Sequence, residues 1–526
     1  MSIAVFRPAG IATNEAGTSA ARARTAALLG LGAVTLVHVW IISAGWMTWW
    51  PQYSCYYGML ADAFAHGQSS LRFEPAAELK QLADPYDPAA NRPIPHLHDV
   101  SFYRGKYYLY WGPVPALLEA PIALLLRHPI GDQYLVFTFV LGIVLVSSEL
   151  ILVIRARWFG DAPVWTVGLA VMMVGLGSPI PFLLTRAAIY EAAIAGGQFF
   201  LLLGIYFAVR SRPMRPIGRG RLLLIGICWA MATGSRVSLA FAVAALASLV
   251  AWRVFRRQDA SLLSPFPPEE DQREGTPRNI LRSFPSPQPS PGGRGRKATY
   301  ALARALALVA PIALAGVLLG AYDHVRFGSW REFGQRYQLA GVNLVKIEDH
   351  IFARANVPPA VFSYLFRPPA VSARFPFVKA AGGAAMYPRF IRLPPDYEAD
   401  EQIVGLLWSS PFLIFALAAG AGAVRARLKA WVVLCLLAAA ILGIAPVLFL
   451  IGCTMRYLAD MTPALTLLAV LGFWQLLADL ENKRWRGRVG AAGAALAGVS
   501  IAISLLLSLS GYYGHFHLHH PGYLGL

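Results

Sequence analysis

Apolar runs longer than a bilayer is thick dominate this sequence, and they fix the solvent before anything else. A helix needs roughly 20 apolar residues to cross a hydrocarbon core of about 30 Å. Within lipid, only helices and closed barrels satisfy every backbone N–H and C=O. Runs of that length occupy 25–47, 133–154, 162–185, 187–209, 300–321, 403–424, 430–451, 461–480 and 489–511. With 526 residues, 56% apolar and 14% charged, and a mean hydropathy of +0.51, the chain reads as an all-α polytopic membrane protein. That excludes a soluble enzyme, a disordered scaffold and a secreted disulfide module. Cys55, Cys228, Cys435 and Cys453 fit no zinc spacing, and at most one bridge, Cys55–Cys453, is open to them.

Charge sets the orientation. Arg7, Arg22 and Arg24 keep the N-terminus in the cytoplasm. The first run ends in Trp46, Trp49, Trp50 and Tyr53, an interfacial aromatic belt instead of a cleavage site, so it is a retained anchor. Residues 113–126 are too short to span and carry three prolines and Glu119; they read as an interfacial or re-entrant helix. Residues 222–251 are apolar but broken by Thr233-Gly234-Ser235-Arg236, with basic residues on both flanks. A single crossing would put one flank outside, so the run folds as two short helices turning at Gly234. The path has about eleven transmembrane helices, with the N-terminus inside and the C-terminus outside. On it the inside segments hold 26 of the 46 Lys/Arg and 8 of the 28 Asp/Glu. The net charge of +18 is therefore topological, and nucleic acid is not a partner.

The organisation that follows is a cytoplasmic segment 1–24, a membrane core 25–252 with outer loop 48–132, and an insert 253–299. A second membrane region, 300–511, carries outer loop 322–402, and a tail 512–526 lies outside. The Pro/Ser/Gly tract of the insert reads as disordered. Both outer loops are too long for connectors, which places function on the outer face. The first runs His98-Asp99 into Ser101-Phe102-Tyr103-Arg104-Gly105-Lys106-Tyr107-Tyr108-Leu109-Tyr110-Trp111-Gly112-Pro113. A carboxylate beside cations and rings at a membrane surface suits transfer to a hydroxyl: the carboxylate takes the proton and the cations hold a leaving phosphate. The alternative is a solvated loop with an interfacial belt. Asp62 is a second carboxylate in this loop. His96, His98 and Asp99 could hold a divalent metal but lack a distant third ligand. Arg186, Arg236 and Arg456 lie at outer helix ends, against the topological bias. They either bind an anion such as a lipid-carrier phosphate or meet bulk headgroups.

The layout resembles the GT-C class of membrane glycosyltransferases, which includes protein O-mannosyltransferases and lipid A aminoarabinose transferases. The resemblance covers the span pattern, Tyr57-Gly58-Met59-Leu60-Ala61-Asp62-Ala63-Phe64-Ala65-His66-Gly67, and Gly105-Lys106-Tyr107-Tyr108-Leu109-Tyr110 with Gly112-Pro113. It implies an enzyme of the bacterial inner membrane that takes a polyprenyl-phosphate-linked sugar and passes it to a hydroxyl, with a first-loop aspartate as base. The family's acidic position falls here on Tyr53, followed by Ser54, so the base role passes to Asp99 or Asp62. Donor phosphate then falls to Arg186, Arg236, Arg456 and Lys106, and substrate contacts to Arg104, Tyr107 and Trp111. The other reading is a transporter or binding protein for lipid-linked saccharides that makes no bond.

Overall fold

A computed structural model describes residues 9–210, 217–260, 291–399, 401–423 and 427–523. After α1 (Ala9–Ile42) the first outer loop carries α2 (Tyr56–Ala65), an antiparallel hairpin of β1 (Ser101–Tyr103) and β2 (Lys106–Tyr108), and α3 (Val114–Leu126). Then come α4 (Asp132–Trp158), α5 (Trp165–Leu176), α6 (Ile189–Val209), α7 (Arg219–Ser235), α8 (Ala240–Ala260) and α9 (Pro291–Phe327). The second outer loop holds a small hairpin, β3 (Ala370–Val371) and β4 (Val378–Lys379). The chain closes with α10 (Ala416–Ala423), α11 (Arg427–Ile444), α12 (Thr462–Asp479), α13 (Lys483–Ser510) and the short α14 (His515–His519).

Among the described residues, nine helical segments are long and apolar enough to cross a membrane, and Val114–Leu126 and Pro411–Gly420 are shorter apolar helices. The protein is a multi-pass membrane protein. Helix α3 has 13 residues, about 20 Å at 1.5 Å per residue, which falls short of the hydrocarbon core. It buries Ala116, Glu119 and Ala123 and exposes Leu117 and Leu125. The interrupted run does turn where Thr233–Arg236 marks it: α7 ends at Ser235 and Arg236 is extended. The two arms part company, however. Helix α7 packs between α6 and α9, and α8 leans on α11.

Two expected spans are broken. The run 403–424 splits into Leu406–Ser409, a 3-10 stretch Pro411–Phe415 and α10. Pro411 removes a donor and keeps Ser410 out of the helical region, at φ −143 and ψ 65. The run 162–185 breaks after Leu176, where Gly177-Ser178-Pro179 ends α5 before a single turn, Ile180–Leu183. The Cys55–Cys453 bridge is absent, since all four thiols are free. Most of the 253–299 insert lies outside the described residues.

Helix α6 is the buried centre, packed between α4 and α7. At its outer end two joints hold the first loop in place. Asp132 caps α2 by accepting from the Tyr56 and Tyr57 amides at 3.0 Å and from the Ser54 hydroxyl, while Ser54 Oγ accepts the Ile189 amide of α6 at 3.0 Å. Farther on, Gly112 lies so close to the α7 turn that a Cβ would sit 2.1 Å from the Gly234 carbonyl oxygen. Only glycine allows that approach, and it brings Tyr110 and Trp111 beside Arg236.

Gly112→Ala should therefore cost about 1–3 kcal/mol through overpacking. Thermal unfolding in detergent should show a midpoint several degrees below wild type. Gly160→Ala, with nothing within 4 Å of its Cβ, should unfold with wild type; equal midpoints for the two variants would contradict the joint.

Candidate functional site

The two outer loops form a mixed edge, and that edge aims Asp99. The Asp99 amide donates to the Leu339 carbonyl at 2.9 Å, and the Leu339 amide returns a bond of 2.9 Å to Val100. Ser101 Oγ donates to Gly334 O at 2.8 Å. Below the hairpin, buried Arg326 donates to the Leu109 carbonyl and pairs with Asp323 at 2.5 Å. Held from both sides, Asp99 takes φ +61, a left-handed conformation that aspartate tolerates better than most residues. Gln338 Nε2 fixes its carboxylate at 2.8 Å and also reaches the Tyr190 hydroxyl at 3.0 Å, which accepts from Tyr110 at 3.0 Å.

Asp99 faces a chamber of about 470 Å³ that also receives Arg186, Arg456, Glu398, Glu401, Tyr190 and Tyr457. Arg456 projects from a 3-10 turn, Met455–Asp460, and is 7% exposed. Its guanidinium lies 4.5 Å from the Tyr190 ring centre, 5.5 Å from Tyr457 and 5.7 Å from Tyr512. Its ion pair with Glu401 is long, 3.7 Å, and its Nε and Nη1 find no hydrogen-bond partner among the described residues. Unpaired buried donors of this kind are costly. Glu191, fully buried, interacts with the charges of both Arg186 and Arg456. Desolvation in the crowded wall and the nearby Glu401 push Glu398 above the usual carboxylate range, with Arg456 pulling the other way.

A second, apolar chamber of about 260 Å³ adjoins the first, and both are lined by Tyr110, Tyr190, Gln335, Leu450 and Tyr457. Trp111, Arg236, Phe241, Phe352 and Val447 complete it. Exposure of 51% at Val237, 65% at Phe241 and 53% at Phe352 leaves its mouth open along the membrane flank. Arg236 is not a spare cation there. Asp460, buried, accepts from its Nη2 at 2.5 Å and its Nε at 3.0 Å.

The residues expected at the site thus separate. Asp99, Arg186 and Arg456 share the polar chamber, and Trp111 and Arg236 line the apolar one. Asp62 lies on α2, paired with Arg72 at 3.0 Å, and lines neither chamber. Arg104 and Lys106 are exposed at the β1–β2 turn, and Tyr107 is a core residue packed on Phe102. The turn and the strand alternation, with Tyr107 inward and Lys106 outward, carry these side chains elsewhere. His96 bonds the Ile94 carbonyl and His98 is exposed beside Asp99 at 3.6 Å. Among the described residues no group of three or more His, Cys, Asp or Glu is placed to hold a metal ion.

Sequence reasoning passed over Gln338, Tyr190, Glu398 and Glu401. The last two had a signal, since 396–401 holds four acids directly after the acid-free stretch 366–395. Two of the tail histidines, His515 and His519, dock on Tyr53, while His517 is exposed. His515 bonds Tyr53 at 2.7 Å and Ile41 O at 2.8 Å, and burial pushes its imidazole down to about 4. Tyr53, at the position where the resemblance wanted an acid, is thereby an anchor for the tail.

No protein-family model matches the chain, and no curated protein matches it. Among solved structures it is similar to the crystal structure of ArnT from Cupriavidus metallidurans bound to undecaprenyl phosphate. The TM-score is 0.44 at 12% identity, over 94% of this chain and 78% of that one.

The Arg236–Asp460 pair makes a stability prediction. Asp460→Ala strands a buried guanidinium and should cost about 3–5 kcal/mol, while the double variant Arg236→Met/Asp460→Leu should recover most of that loss. Unfolding midpoints in detergent read the cycle, and additive losses would show that the pair is not desolvated as described.

Proposed function

We propose that this protein is an integral membrane glycosyltransferase. It moves a sugar from a polyprenyl-phosphate-linked donor to a hydroxyl of a lipid, glycan or protein on the outer face. One observation carries the reading: a polar chamber with an oriented carboxylate and a buried guanidinium short of hydrogen-bond partners opens directly into an apolar groove. The donor has the same two-part character, a charged head on a long hydrocarbon. Its tail lies along Trp111, Phe241 and Phe352, and its phosphate meets Arg456 and Arg186.

In the reaction the acceptor hydroxyl attacks the anomeric carbon of the sugar as Asp99 takes the hydroxyl proton. The new C–O bond forms and the bond from the anomeric carbon to the phosphate oxygen breaks, so the electron pair leaves on the polyprenyl phosphate. Arg456 and Arg186 stabilise the charge that grows there. Their contribution is large because the chamber excludes much of the water that would screen it. Gln338 keeps the Asp99 carboxylate turned to the acceptor, and Tyr190 links that carboxylate to the cation side. Asp62, Arg104 and Lys106 have no part in this scheme.

The test uses full-length protein in detergent with a synthetic polyprenyl-phosphate sugar, following release of polyprenyl phosphate. Asp99→Asn should lower turnover on the order of 100-fold or more, the contribution of a general base, with donor affinity nearly unchanged. Arg456→Ala should weaken donor binding, and Asp62→Asn should stay near wild type. Translocation of intact donor across liposomes by a protein that never consumes it would replace the enzyme with a transporter. Full turnover by Asp99→Asn would remove the base.

A further inference from the structure

The second outer loop carries a surface that sugar transfer does not use. Residues 366–395 hold five basic residues and no acid. Arg367 is spent internally: buried, it stacks on Tyr387 at 5.1 Å and donates to the Gly383 carbonyl at 3.1 Å. The other four, Arg374, Lys379, Arg389 and Arg392, are exposed. They are interleaved with exposed Phe375, Phe377 and Phe390, the last at 84% exposure. A soluble surface has little reason to show bare phenylalanine beside each cation. A surface at the depth of lipid headgroups has both reasons at once, since rings settle at the interface and cations seek phosphate.

The fold sets that depth. Strand β4 packs on α13, and α13 ends at Ser510, where its apolar span gives out. The Phe375–Phe377 tip of the hairpin is therefore held near the level at which lipid chains meet water. Beneath it lies a cavity of about 490 Å³, lined by Phe375, Lys379, Gln402, Leu509, Gly511 and His517 among others. It shares no lining residue with either chamber of the candidate site. Its walls combine a cation, polar groups and an apolar floor, in one concavity at the bilayer boundary.

We infer that this cavity binds an anionic glycerophospholipid of the outer leaflet. Lys379 holds the phosphate, with exposed Arg374 next to Phe375 in the chain adding positive charge, and Leu509 and Phe375 take the start of an acyl chain. The absence of any acid in the hairpin argues against a zwitterionic headgroup, whose ammonium would meet only like charge. Occupied, the site pins the second loop to the membrane and with it the wall, Glu401–Gln402 and Gly511–Tyr512, that separates lipid from the catalytic chamber. The inference is independent of glycosyl transfer.

Native mass spectrometry of the full-length protein, titrated with dioleoyl phosphatidylglycerol or dioleoyl phosphatidylcholine, tests it. Phosphatidylglycerol should be retained at a concentration on the order of tenfold lower than phosphatidylcholine, as Lys379 in the cavity wall and the positive charge of the acid-free hairpin imply. Arg374→Glu/Lys379→Glu should abolish that preference. The milder Arg374→Gln/Lys379→Gln should reduce it while eluting as wild type on size exclusion, which separates lost binding from lost folding. Equal retention of the two lipids, an unchanged preference in both variants, or displacement of phosphatidylglycerol by millimolar inorganic phosphate would each overturn the assignment.

Discussion

A guanidinium without a full set of partners, shut inside protein at one end of a membrane bundle, is what the rest of this structure is organised around. Arg456 is ringed by Tyr190, Tyr457 and Tyr512, and among the described residues its charge is answered by a long contact to Glu401 and by buried Glu191. Those rings come from α6, from the turn before α12 and from the chain just after α13. A cation left short of partners in a low-dielectric wall destabilises the empty protein. It is therefore poised to gain more from an incoming anion than a solvated arginine would. The contrast with Arg236 is instructive. One apolar chamber away, the same residue type is fully matched by Asp460, so it shapes the groove without calling for a ligand.

The loops serve that cation. Asp99 is aimed across the chamber by the mixed edge with Leu339 and by Gln338, so neither loop makes the site alone. Asp132 and Ser54 tie the first loop to α6, and the docked tail closes the other side through Tyr512 and His515. Each tie is a short-range hydrogen bond or a glycine-sized approach, and together they convert two long, proline-rich segments into fixed walls.

How much of this the sequence disclosed follows from physical range. Membrane spans are written in local composition, so most of the long apolar helices and the turn before Arg236 were legible, as was the shortness of the 113–126 helix. Breaks within spans were harder to see: Pro411 and Pro179 are visible, but apolar content masks what they do. The site divides along the same line. Arg186 and Arg456 stood out because cations at those helix ends oppose the basic-inside bias, and Asp99 because it leads into the cationic, aromatic run with Arg104 and Lys106. Lys106, Arg104 and Tyr107 stood out for the same compositional reason and went elsewhere, because a hairpin turn and strand alternation decide direction, and composition does not carry direction. Gln338 and Tyr190 act through partners 80 or more residues away, and the stretches around them, 322–339 and Arg186, marked the neighbourhood without marking these side chains.

The central claim is that Arg456 awaits a lipid-borne phosphate. The most direct measurement is a cryo-EM reconstruction of the full-length protein with a long-chain polyprenyl phosphate. Phosphate density against the Arg456 guanidinium, with the hydrocarbon leaving past Trp111 and Phe241, is the predicted result. Phosphate density at the Arg104–Lys106 turn with the Arg456 chamber empty would contradict it.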